Sequence, residues 1–143
     1  MTPEELKARA RRLAQEVFTQ GDLAVADELV TPDYVHHMPG PQPVHGVTGL
    51  KEWVTLLRRT FPDVHLILED EIAEADRVVN RITVRGTHEG EFLGIPPTGR
   101  QVAFDVIDIN RTGPDGRFVE HWSSIDLLGL LRQLGALPAD AAA

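Results

Sequence analysis

The run Arg100-Gln101-Val102-Ala103-Phe104-Asp105-Val106-Ile107-Asp108-Ile109-Asn110-Arg111 follows a period of two, the signature of a strand with two distinct faces. Val102, Phe104, Val106 and Asp108 share one face; Ala103, Asp105, Ile107 and Ile109 share the other. Each face holds apolar residues and an aspartate, so the alternation alone leaves open which one turns inward. The same period governs Val64–Ile72, Arg77–His88 and Arg117–Ile125. Between these runs lie turn signals: Ala75-Asp76, Gly94-Ile95-Pro96-Pro97-Thr98-Gly99 and Gly113-Pro114-Asp115-Gly116.

Upstream the period lengthens. Thr2-Pro3-Glu4-Glu5 opens a helix with a capping box, and Leu6, Ala10, Leu13, Ala14, Val17 and Phe18 form one apolar stripe that ends at Gly21. Asp22 is placed to cap a second, shorter helix with Leu23, Ala26 and Val30 inward. Thr31-Pro32-Asp33 breaks it, and Tyr34-Val35-His36-His37 is extended. Met38 to Gly46, rich in proline and glycine, predicts a loop. Leu50, Trp53, Val54, Leu57 and Phe61 mark a third helix stopped by Pro62, and Leu127 to Leu134 a last one before Gly135. Helices first and an antiparallel meander afterwards indicate an α+β domain with its helices on one sheet face. Residues 1–137 are expected to form that single domain, and the Ala-rich residues 138–143 a flexible tail.

The 143 residues, 42% hydrophobic and 25% charged, suit a globular chain. A formal net charge of −8 disfavours nucleic acid and anionic membrane as partners. The absence of cysteine removes thiolate metal sites and cysteine nucleophiles. No apolar signal core or membrane-length run is found, so a cytoplasmic location is the expectation.

Gly86-Thr87-His88-Glu89-Gly90-Glu91-Phe92-Leu93-Gly94-Ile95-Pro96-Pro97-Thr98-Gly99-Arg100 resembles the central signature of the SnoaL-like polyketide cyclases. So do Gly116-Arg117-Phe118-Val119-Glu120-His121-Trp122, Asp126 and Leu130-Leu131-Arg132-Gln133-Leu134-Gly135. The resemblance implies the cone fold shared with nuclear transport factor two and ketosteroid isomerase: a curved, mainly antiparallel sheet with N-terminal helices packed in its concave face. It also implies a homodimer, a small apolar or polyketide-like ligand, and ring closure by intramolecular aldol condensation without metal or cofactor.

The resemblance turns Val106 and Asp108 inward, and likewise His121 and Ser123 on the last strand, with Val119 and Ile125. In the aldol cyclases an aspartate stands at the position of Ser123 as general acid/base, beside a histidine at that of His121. Serine cannot replace a carboxylate as proton acceptor near neutrality. The sequence therefore offers Asp108 as base, His121 as its acid/base partner, and Tyr34 and His36 as donors to a substrate carbonyl. Trp53, Leu57, Phe92 and Phe104 would supply an apolar wall, with Val106 and Ser123 completing the pocket. The expected activity is cofactor-independent proton transfer, cyclisation or isomerisation of a carbonyl compound. The alternatives are a non-catalytic binder of small molecules and an epoxide or ester hydrolase in which Asp108 activates water. The latter chemistry, by analogy, wants an arginine where Val106 stands. His36, His37 and His45 lack metal-site spacing, so no metal is expected. His65 and His88 are read as surface or turn residues, Asp126 as a helix cap, and Phe118 and Trp122 as outward-facing.

Overall fold

The computed structural model describes residues 1–38 and 43–137. Its first helix begins as the sequence dictates: Glu5 N–H donates to Thr2 Oγ1 at 3.1 Å while Thr2 N–H donates to Glu5 Oε2 at 2.7 Å. Helix α1 (Pro3–Arg12) runs without a break into a π-helical segment, Leu13–Thr19, where the Gln20 N–H reaches back to the Gln15 carbonyl. The wider winding was not foreseen. It still keeps Leu13, Ala14, Val17 and Phe18 on the buried side.

Helix α2 (Leu23–Leu29) follows, then strand β1 (Val30–His37), the two-residue strand β2 (Val44–His45) and helix α3 (Gly46–Thr60). Three expectations are corrected here. Asp22 makes no capping hydrogen bond. Thr31-Pro32-Asp33 lies inside β1, of which Val30 is the first residue, and Val44–His45 is strand instead of loop because it pairs with Val35 and His36. The remaining strands are β3 (His65–Glu74), β4 (Arg77–Thr87), β5 (Gln101–Thr112) and β6 (Phe118–Ile125), closed by α4 (Leu127–Gln133). Asp126 Oδ1 accepts the Gly129 N–H at 3.0 Å, the cap expected of it. The predicted tail, 138–143, falls outside the described residues.

The strands form one curved, unclosed sheet in the order β2-β1-β6-β5-β4-β3, antiparallel throughout except for the β1–β6 pair. Val78, Ile82 and Val84 on β4 and Val102 and Phe104 on β5 are buried against Leu6, Ala10, Leu13 and Val17. Ile107, by contrast, is 52% exposed. This resolves the parity of β5: the face carrying Asp108 is the inner one. The architecture is the expected α+β cone, with helices in the concave face of the sheet.

The last strand departs from simple alternation. Arg111 pairs with Glu120 but Thr112 pairs with Phe118, so Val119 is the extra residue of a bulge. The bulge turns Phe118 inward, fully buried, which reverses the expectation for it, and Val119 is half-buried. His88 is a second correction. It is completely buried, its Nδ1 accepting the Thr98 N–H at 3.2 Å, and it packs on Phe61 instead of facing solvent.

Candidate functional site

Strand register assembles the polar residues. Asp108 on β5 is directly opposite Asn80 on β4 and Ser123 on β6, while His121 on β6 is opposite Asn110 on β5 and His36 on β1. Cross-strand partners share a face, so two adjacent rungs, Asn80–Asp108–Ser123 and Asn110–His121–His36, lie side by side on the inner surface. All six line one cavity of ≈ 590 Å³.

The rest of the cavity is mostly apolar. Ala10, Leu13, Ala14 and Phe18 come from the first helix and its π segment, Trp53 and Leu57 from α3, and Leu127 and Leu130 from α4 and its start. Phe92, Phe104 and Val106 complete the wall. Leu56 and Leu93 line the cavity yet are 51% and 68% exposed, which puts them at its mouth. The loop bearing Leu93 is held to the end of α3, where the Thr60 carbonyl accepts N–H groups from Glu89 and Gly90. A Cβ at Gly90 would overlap the Arg59 carbonyl oxygen, so that approach requires glycine.

Tyr34 sits differently. It is fully buried and is not part of the cavity wall; its hydroxyl lies 2.8 Å from His121 Nδ1. Burial, and then the charge of Asp108, hold the Tyr34 phenol well above its usual range, so it remains an O–H donor. With Tyr34 as the donor, His121 accepts at Nδ1, and the tautomer that fits this contact carries its proton on Nε2. That nitrogen is 3.2 Å from Asp108 Oδ2. The two groups are close, but Nε2 has no aligned hydrogen-bond partner, so the contact is not a directed bond. The expected role of Tyr34 as a carbonyl donor would need a hydroxyl facing the cavity; this one faces His121.

His36 stacks on His121 with ring centroids 4.1 Å apart and planes within 5°. Its Nε2 is 3.1 Å from Ser123 Oγ, and its Nδ1 is buried without a partner. Burial, followed by the neighbouring His121 and His37, lowers the His36 pKa to about 2. At neutral pH the ring is uncharged. Asp108 Oδ1 accepts from Asn80 Nδ2 at 2.8 Å and, more distantly, from Asn110 Nδ2 at 3.4 Å.

Asn80 and Asn110 were missed in the sequence. A signal for Asn80 existed: it interrupts Val78, Ile82 and Val84 on one face of β4. What the sequence lacked was the register that places it opposite Asp108. Among the described residues no group of three His, Asp or Glu side chains is arranged to hold a metal ion. Chemically, the site offers a carboxylate oxygen at the floor of an apolar cup, with the His121 imidazole Nε2 buried beside it. Such a pair can take a proton from carbon and hydrogen-bond to the oxygen that gains charge.

Comparison with known proteins fits this frame. Nogalonic acid methyl ester cyclase of Streptomyces nogalater is 30% identical over 120 residues, covering 82% of this chain and 89% of that protein. The structure of TsrD from Streptomyces laurentii superposes with a TM-score of 0.87 at 34% identity, over 96% of this chain and 99% of that one. AclR, a candidate hydroxylase from Streptomyces galilaeus, gives 0.83 at 34% identity, over 96% and 100%. The family profile of the SnoaL-like polyketide cyclases matches residues 8–134. Because that match runs from the first helix to the last and does not rest on one motif, the chain belongs to the SnoaL-like polyketide cyclase family.

Proposed function

We propose that this protein is a cofactor-independent cyclase for a carbonyl-bearing, polyketide-like small molecule, with Asp108 as the base. One observation carries the reading: Asp108 and Ser123 are direct cross-strand partners at the floor of the cavity. A carboxylate absent from β6 is thus supplied one rung-position away on β5, next to the same His121. Asp108 Oδ2 would remove a proton from the carbon next to an ester or ketone carbonyl. His121 Nε2–H would hydrogen-bond to the enolate oxygen as it forms. The enolate carbon then attacks a second carbonyl of the same molecule, a carbon–carbon bond closes the ring as that carbonyl's π bond breaks, and the new alkoxide takes the proton that Asp108 had removed, which restores the carboxylate. The product is an isomer of the substrate, with no redox change. Tyr34 serves as a positioning residue that holds His121 in the Nε2–H tautomer, and His36 flanks the ring by stacking.

The ester of the Streptomyces nogalater relative is a suitable probe. Incubated with nogalonic acid methyl ester, the protein is expected to form a ring-closed isomer, and Asp108→Asn to reduce the rate by about 100-fold or more. Binding with neither ring closure nor deuterium uptake next to the carbonyl would favour a binding-only protein. Activity surviving in Asp108→Asn would remove the base assignment. The frame itself does not choose the reaction, since AclR shares it.

We also propose that two copies pair through the outer face of the sheet. Ile72 and Ile107 are 62% and 52% exposed there, beside Trp122, whose ring is flanked by His37 and Arg77.

A further inference from the structure

We infer that Asn80 is a positioning residue that engages Oδ1 of Asp108 and so leaves Oδ2 as the oxygen that meets the ligand. The inference rests on the reading of Asp108 as base. Asn80 and Asn110 are 2% and 1% exposed, and both turn their amide nitrogens toward the same carboxylate oxygen. A carboxylate only accepts hydrogen bonds, so the orientation of both amides is set.

That orientation leaves the side-chain oxygens of Asn80 and Asn110 buried without partners. Unpaired buried acceptors are unfavourable, and native interiors tolerate few of them. Packing does not call for Asn80 either. Its neighbours on that face of β4 are Val78, Ile82 and Val84, all buried, and an aliphatic residue at 80 would continue the series with no polar group to satisfy. Carboxylate placement accounts for both features. Two amide donors on Oδ1 select one side-chain rotamer and make the two oxygens inequivalent. Only Oδ2 faces the His121 imidazole, at 3.2 Å.

The other titratable groups near Asp108 are few. His121 comes from β6, with the Tyr34 phenol behind it and the His36 ring stacked against it, both from β1. The helical side of the cavity presents Ala10, Leu13, Phe18, Trp53 and Leu57, none of them charged. Glu91, exposed in the loop between β4 and β5, also reaches the cavity. On the sheet, then, the neutral donors to Asp108 are the two asparagines, with Asn80 the nearer.

The test reads the carboxylate directly. Carbon-13 NMR of aspartate-labelled protein, with the Asp108 signal assigned by its loss in Asp108→Asn, gives the titration midpoint with or without turnover. In Asn80→Leu the midpoint is expected to rise by about one pH unit, and in Asn110→Leu by less, as donors to the charged form are removed. Deuterium exchange next to the carbonyl of 2-tetralone should slow by about tenfold in Asn80→Leu. A folded Asn80→Leu protein with an unmoved midpoint overturns the assignment; if that variant fails to fold, Asn80→Ala is read the same way. A midpoint that moves in a protein inert toward 2-tetralone supports the positioning role while counting against proton transfer, so the two readings fail separately.

Discussion

His36 shows how a single side chain ties the site to stability. The ring is buried, stacked on His121 and uncharged, with its pKa lowered to about 2 from an ordinary value near 6.5. Between those values the unfolded chain binds a proton that the folded one refuses, so stability rises with pH across that window. Above about pH 6.5 the penalty vanishes, and below it the fold loses on the order of 1.4 kcal/mol per pH unit from this group. His36→Gln should flatten the fall of stability between about pH 6 and pH 4, measured by urea unfolding at several pH values. An unchanged slope would mean that the ring takes up a proton in the folded state. His36 was legible in the sequence as a site candidate, and so were Asp108 and His121. Their order of contact, Tyr34 to His121 to Asp108, was not, because it joins residues from three strands.

At the scale of elements, the bulge in β6 decides which aromatic is core. A strand without Val119 as an extra residue would put Phe118 and Trp122 on one face. With it, Phe118 is fully buried opposite Thr112, while Trp122 stays half-exposed beside His37. Phe118→Ala is therefore expected to cost about 3–5 kcal/mol of folding stability and Trp122→Ala distinctly less, read from urea unfolding of both variants. Equal costs would argue against the bulge. Period-two alternation located every end of β3 to β6 within two residues, since it depends only on local side-chain direction. A bulge depends on hydrogen bonding to the neighbouring strand. The pairing that makes Val44–His45 a strand is likewise non-local.

For the whole molecule, the proposed pairing through the outer sheet face is tested in solution. If two copies cover it, Ile107→Asp should shift the protein from dimer to monomer in sedimentation while leaving the cavity, on the opposite face, able to bind 2-tetralone. A monomeric wild type would overturn the pairing. The sequence by itself determined the order of helices and strands, the inward apolar stripe of the first helix, and the departure at Ser123, because these follow from local periodicity and from resemblance along the chain. The tertiary structure decided which face of β5 is buried, the reversal of Phe118, the burial of His88, the placing of Tyr34 behind His121, and the joining of Asn80 to Asp108. Each of those depends on register between strands far apart in sequence, and register is set by the packed core as a whole, not by any segment read alone.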